Sequence, residues 1–233
     1  MMQSFFAWRE RMYGYIRQGR RTALTREVMG GVAFQVLTVG PGLLRRLRVR
    51  RLLRRMARQG VGTAVFEDGA WRETAARYGI RPVAVGPLRL AKLGELLDAV
   101  CPALSGKTVR LCTGEDGSAA RRAARVLVKR ARYVAVEPPG QASLEQWLLE
   151  RYGLAAGSGG QQPAATVWCG TAEEDGGGAA VYLGADCAAR QEVRYAAEGL
   201  GPRPVPEQLL AALFAAGRWE PSEIRVVSVT SRA

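Results

Sequence analysis

Val109-Arg110-Leu111-Cys112-Thr113-Gly114-Glu115-Asp116-Gly117-Ser118-Ala119-Ala120 decides the reading of this chain: a β-rich run passes through a glycine turn straight into a helical one. Thr108 to Cys112 is read as a strand, Ser118 to Ala131 as a helix and Tyr133 to Glu137 as the next strand. A helix of that length between two strands implies a right-handed crossover and parallel pairing.

The same rhythm continues in both directions. Towards the C-terminus, Ser143 to Tyr152 is a helix with Ser143 as N-cap and Gln146 as its capping-box partner. Ala165 to Cys169 and Ala179 to Leu183 are strands set among glycine-rich stretches. Pro206 to Ala216 is a helix opened by proline in its first turn, and Glu223 to Val229 a closing strand. Towards the N-terminus, Val32 to Val39 is a strand stopped by Gly40-Pro41-Gly42. Leu43 to Gln59 is a helix, with Val49, Leu52, Leu53 and Met56 at i, i+3, i+4 and i+7 and Gly60 beyond its end. Val61 to Phe66 and Arg81 to Val85 are strands, Ala70 to Arg77 and Leu88 to Val100 helices. Residues 1–28, where aromatic residues alternate with arginines, suit a short amphipathic helix and a basic connector.

The expected fold class is therefore α/β, Rossmann-like, with a mostly parallel sheet, helices on both faces and room for two lobes. The division expected is a basic aromatic segment over 1–28, a first α/β lobe over 29–103 and a second over 104–233 containing the βαβ unit.

The spacing Gly114-x-x-Gly117-x-x-Ala120, with Glu137 ending the next strand about twenty residues on, resembles the turn of Rossmann-type NAD(P)-binding domains. The likeness is to the short form found in shikimate-dehydrogenase-like enzymes, where a comparable Gly-Lys-Thr-Val opens the first strand, as Gly106-Lys107-Thr108-Val109 does here. It extends over roughly residues 105–185. It implies a pyrophosphate turn at Gly114, Gly117 and Ala120, a ribose contact at Glu137 and NAD as cofactor. It carries over no catalytic residue. Glu115 and Asp116 occupy the turn itself. They place negative charge where a pyrophosphate would lie, and equally supply a cap and favourable charge to a helix N-terminus without any ligand. Were the protein a nicotinamide-dependent reductase, Lys92 or Lys107 would be the carbonyl-polarising lysine.

The second feature is the arginine content of the helix over 43–59. Arg51, Arg54 and Arg58 share the face opposite the apolar stripe, and Arg55 adjoins them. Such a row can follow a phosphate backbone or an anionic surface, and it can equally be a solvated face. Nucleic acid or an anionic surface is thus the alternative partner to a dinucleotide. The formal charge of +13 over 233 residues has the same sign, although arginine in an Ala- and Gly-rich chain also follows from GC-rich coding.

Composition narrows the chemistry further. The 48% hydrophobic and 24% charged residues are ordinary for a globular protein. With no histidine, neither a histidine-based triad nor imidazole acid–base catalysis can operate, and no metal is expected. Cys101, Cys112, Cys169 and Cys187 form no CxxC pair and sit in or beside apolar runs, as buried thiols outside any disulfide would. Arg9, Glu10 and Arg11 interrupt the apolar residues near the start, so the expected location is the cytoplasm. Glu173, Glu174 and Asp175 are read as a solvated acidic loop, and Trp71, Trp147, Trp168 and Trp219 as packing residues.

Overall fold

A computed structural model describes residues 12–114, 117–137, 142–154, 162–170, 179–184, 187–200 and 205–231. The chain forms two compact units, Met1–Val83 with Ala216–Arg218 and Ala84–Ala215 with Trp219–Ala233. Both are built on mostly parallel sheets flanked by helices, as the strand–helix rhythm requires.

The first unit carries a five-stranded sheet in the order β2-β3-β1-β4-β5. Its strands are β1 (Tyr13–Gln18), β2 (Ala23–Met29), β3 (Val32–Val39), β4 (Thr63–Phe66) and β5 (Arg81–Pro82). β1 runs parallel to β3 on one side and to β4 on the other, and β5 extends the sheet in parallel from β4. β2 alone is antiparallel, joined to β3 through Gly30-Gly31, whose φ values of 54° and 77° are those of a two-residue hairpin turn.

The helix expected within residues 1–28 is replaced by β1 and β2 over the part described, residues 1–11 lying outside it. The reason is burial. Tyr13, Tyr15 and Ile16 are all buried because β1 is covered on both faces, and a strand covered on both faces loses the alternation that identifies one.

α1 (Arg45–Arg58) joins β3 to β4, and α2 (Arg72–Ala76) joins β4 to β5. Val49, Leu53 and Met56 from α1 and Trp71 and Ala75 from α2 and its cap pack with Ile16, Leu37, Val39, Ala64 and Phe66, so both helices cover one face. Gly14 makes that contact close, since a Cβ there would meet Met56 Cε at 2.8 Å and Ala64 Cβ at 2.9 Å. On the other face Phe34 is buried against Tyr13 and, edge-on, Tyr15.

The second unit holds a four-stranded parallel sheet ordered β7-β6-β8-β9, with β6 (Thr108–Cys112), β7 (Tyr133–Glu137), β8 (Ala165–Trp168) and β9 (Ala179–Tyr182). α5 (Gly117–Leu127) connects β6 to β7, and α6 (Ala142–Tyr152) follows β7. The single helix expected over Leu88–Val100 divides into α3 (Gly86–Ala91) and α4 (Leu93–Val100) at Lys92.

α7 (Cys187–Arg190) and β10 (Gln191–Ala197) are not anticipated by the sequence pattern. β10 alternates inward and outward, but one of its inward residues is Gln191, which disguises the strand. It pairs antiparallel with β11 (Ile224–Ser231), so the closing strand belongs to a separate two-stranded sheet, and α8 (Glu207–Ala215) lies between its two strands in sequence. All four cysteines are thiols; Cys112, Cys169 and Cys187 are buried and Cys101 half-buried. No described helix is long and apolar enough to cross a membrane.

Candidate functional site

β6 is flanked by β7 on one side and β8 on the other, so the chain leaves it in both directions and its carboxyl end is a topological switch point. Open parallel sheets bind ligands at such points. Gly114 follows β6 there, and Gly170 follows β8. A Cβ on Gly114 would lie 2.5 Å from the Gly170 Cα, and one on Gly170 would lie 2.7 Å from the Gly114 Cα. The pair lets two strand exits touch, which gives Gly114 a packing reason to be glycine.

Gly117 differs. It opens α5, and a Cβ on it would meet none of the described residues within 4 Å. Ala120 is the first buried residue of α5, on the face it shares with Ala123, Ala124 and Leu127. Gly117, Ser118, Ala120, Arg121, Arg122 and Arg125 line a cavity of about 590 Å³ with the first turn of α6. Arg122 Nη2 donates to Ser118 Oγ at 3.2 Å, and the Arg125 guanidinium lies over the Trp147 ring at 5.8 Å. Glu115 and Asp116 fall outside the described residues.

Glu137 ends β7 in register with Cys112. The Thr113 backbone N–H and Oγ1 donate to its carbonyl at 2.7 and 3.1 Å, fixing the exit of β6 against that of β7. Its carboxylate lies 3.3 Å from Arg110 Nε and keeps 43% of its side chain exposed. The Cys112 thiol donates to the second oxygen at 3.9 Å. Burial, and then the Glu137 charge, push that thiol up to about 12, so it is a neutral donor and no nucleophile at ordinary pH. The four residues implied by the resemblance thus stand at one edge of one sheet. Gly117 and Ala120 line the cavity, Glu137 faces Arg110 at the neighbouring strand end, and Gly114 is packed on Gly170.

Of the two lysines considered for carbonyl polarisation, Lys92 is 5% exposed, its ammonium held by the Glu95 carboxylate and the Pro221 carbonyl. It is committed to the fold. Lys107 is exposed.

The sequence reading missed the most elaborate polar cluster of the second unit. Arg89 is fully buried. Its Nε and Nη2 form a fork on Glu207 at 2.7 Å each, Nη1 donates to the carbonyls of Tyr182 and Cys187, and Nη2 also reaches the Gln191 carbonyl. Tyr195 donates its phenol to Glu207 at 3.1 Å, and burial together with that carboxylate raises its pKa. Burial alone would lower the Arg89 pKa, but the Glu207 hydrogen bonds and charge more than offset it. With every arginine donor direction met, this cluster ties α3, α7, α8, β9 and β10 together. An arginine after a Gly-Pro helix start carries no local sign of burial, and its partner is 118 positions away.

Arg51, Arg54, Arg55 and Arg58 are all exposed on α1, opposite its buried Val49, Leu53 and Met56. None forms an ion pair among the described residues, and Arg54 stacks over Tyr78 at 5.9 Å. No described group of three or more Cys, Asp or Glu side chains is placed to hold a metal.

No family model and no curated protein matches the chain. Among solved structures it is similar to an L-tryptophan dehydrogenase from Nostoc punctiforme, at a TM-score of 0.32 and 9% identity, over 74% of this chain and 61% of that one. A protein from Trypanosoma cruzi assigned as an aspartate carbamoyltransferase gives a TM-score of 0.31 and 10% identity, over 89% and 80%. The chain spans less than two thirds of the dehydrogenase. Likenesses at this level carry no function with them.

Proposed function

We propose that the protein binds a dinucleotide, NAD in the first instance, at the carboxyl edge of the second parallel sheet. The observation that carries this reading is the open face of Gly117 on a cavity that also presents Arg121, Arg122 and Arg125. A phosphate can come against a helix start where no Cβ intervenes, and guanidinium groups beside it supply charge-assisted donors. Glu137, at the end of the adjacent strand with an exposed carboxylate, is the acceptor for ribose hydroxyls. The groups present therefore fit a dinucleotide in kind: donors for the phosphates and an acceptor for the sugar. When bound, NAD would supply hydride chemistry; the chain's own part is to bind and orient it.

The test is a thermal melt with and without millimolar NAD, NADP and their reduced forms at fixed salt. Ligand at a hundred times its dissociation constant stabilises by about 2.7 kcal/mol, several degrees for a unit of this size. A selective rise supports the site; melts unchanged by all four contradict it.

A second reading rests on the four exposed arginines of α1, which favour nucleic acid or an anionic surface as partner. Its signature is strong salt dependence that Arg51→Gln, Arg54→Gln and Arg58→Gln together would flatten.

A further inference from the structure

The first unit has a cavity of its own that neither reading uses. Arg45, Arg46 and Arg50 from the first two turns of α1, with Trp71, Thr74 and Arg77 from α2 and its flanks, line a space of about 370 Å³. α1 follows β3 and α2 follows β4 on the same face, so the space lies toward the carboxyl ends of those strands, the end at which parallel sheets present their ligand sites.

Two donors in its wall have no acceptor among the described residues. Trp71 is 9% exposed, and its indole Nε1 has no hydrogen-bond partner. Arg45 Nε is likewise buried and unpartnered, while the same guanidinium lies 5.1 Å from the Trp71 ring centroid and donates through Nη2 to Gln18 Oε1 at 3.2 Å. Buried donors left without acceptors are rare in folded proteins. Indole and guanidinium groups donate only, so what is missing is an acceptor.

The nearby acids do not fill that role. Asp68 accepts from Gln18 Nε2 at 2.6 Å and from the Ala70 N–H at 3.0 Å, and Glu67 accepts from the Gln18 N–H. Among the described residues no carboxylate lines the cavity, whereas four guanidinium groups do. A phosphoryl group, with several oxygens and more than one charge, matches arginine forks better than a single carboxylate does.

We propose that this cavity binds a small phosphorylated ligand, whose phosphoryl oxygens accept from Trp71 Nε1 and Arg45 Nε while Arg46, Arg50 and Arg77 meet its charge. The arginines read as a nucleic-acid row, Arg51, Arg54, Arg55 and Arg58, line none of it, which separates a small ligand from a polymer. All the residues belong to the first unit, so the proposal is independent of the dinucleotide reading.

The experiment is calorimetric titration of the full chain with inorganic pyrophosphate at constant ionic strength. The expected result includes a saturable site in the first unit. Arg46→Gln with Arg77→Gln weakens it by about tenfold or more. The charge-matched pair Arg26→Gln with Arg81→Gln, exposed in the first unit and lining none of this cavity, leaves it unchanged. Trp71→Phe, which keeps an aromatic ring and removes the N–H, also weakens binding. Because Arg46 and Arg77 are exposed, their replacement tests the site even where Trp71→Phe fails to fold. Equal weakening by the two arginine pairs would overturn the proposal, because pyrophosphate would then be reading net charge alone. So would the absence of saturable heat, tighter binding of succinate, or a single-stranded oligonucleotide that needs Arg46 and Arg77 and is not displaced by pyrophosphate.

Discussion

Gly114 and Gly117 stand three positions apart in one turn, yet a side chain would meet a different fate at each. At Gly114 an added methyl runs into the Gly170 backbone, so Gly114→Ala should destabilise the second unit by about 1–3 kcal/mol through overpacking. At Gly117 it meets open space, so Gly117→Ala should leave the urea midpoint unchanged or slightly raised. Arg89→Leu removes the guanidinium that donates to the Glu207 carboxylate and to three carbonyls, leaving Glu207 with Tyr195 alone among its described donors. The expected loss is about 3–5 kcal/mol by urea unfolding, with part of it recovered when Glu207→Leu is added. Cys112 sets a pH dependence. Its pKa is raised from 9.0 to about 12 in the folded chain, so the stability it contributes is complete below pH 9 and is lost as pH rises toward 12. Cys112→Ala should flatten the fall in urea midpoint over that window. Below it, iodoacetamide should modify half-buried Cys101 well before Cys112.

Elements whose residues follow one local period were legible. β3, β6 and β7 fall where their β-rich runs place them, and α1 buries Val49, Leu53 and Met56 with Leu52 partly covered. What failed did so for physical reasons. β1 is covered on both faces and shows no alternation, and β10 carries Gln191 inward because that side chain donates to the Ala180 carbonyl at 2.7 Å. A long-range partner decides each case, and neighbouring residues do not encode it. The exposed arginines of α1 were legible as a face, but what they meet is not a property of the helix. If they follow a phosphate backbone, about six contacts give a salt slope near −5, roughly a thousandfold loss of affinity to an oligonucleotide between 50 and 200 mM salt. A flat salt dependence would leave them as a solvated face.

At the scale of the whole chain, two parallel-sheet units each carry a cavity whose described lining is rich in arginine and holds no carboxylate, and the formal charge of +13 has the matching sign. Recognition of anionic ligands is what the proposals made for the two units have in common. The glycine turn was readable from spacing. Gly114's contact with Gly170 was not, because residues 114 and 170 are brought together only by the parallel pairing of β6 with β8. That contact also makes Gly117 the position at which to test the site, since Gly114 cannot be altered without disturbing the fold. The decisive measurement is the affinity of the wild-type chain and of Gly117→Asp for NADH, read by nucleotide fluorescence, with the melting point of each determined without ligand. Dinucleotide binding at this edge predicts equal melting points and affinity about tenfold or more weaker in Gly117→Asp; equal affinity in the two chains would contradict it.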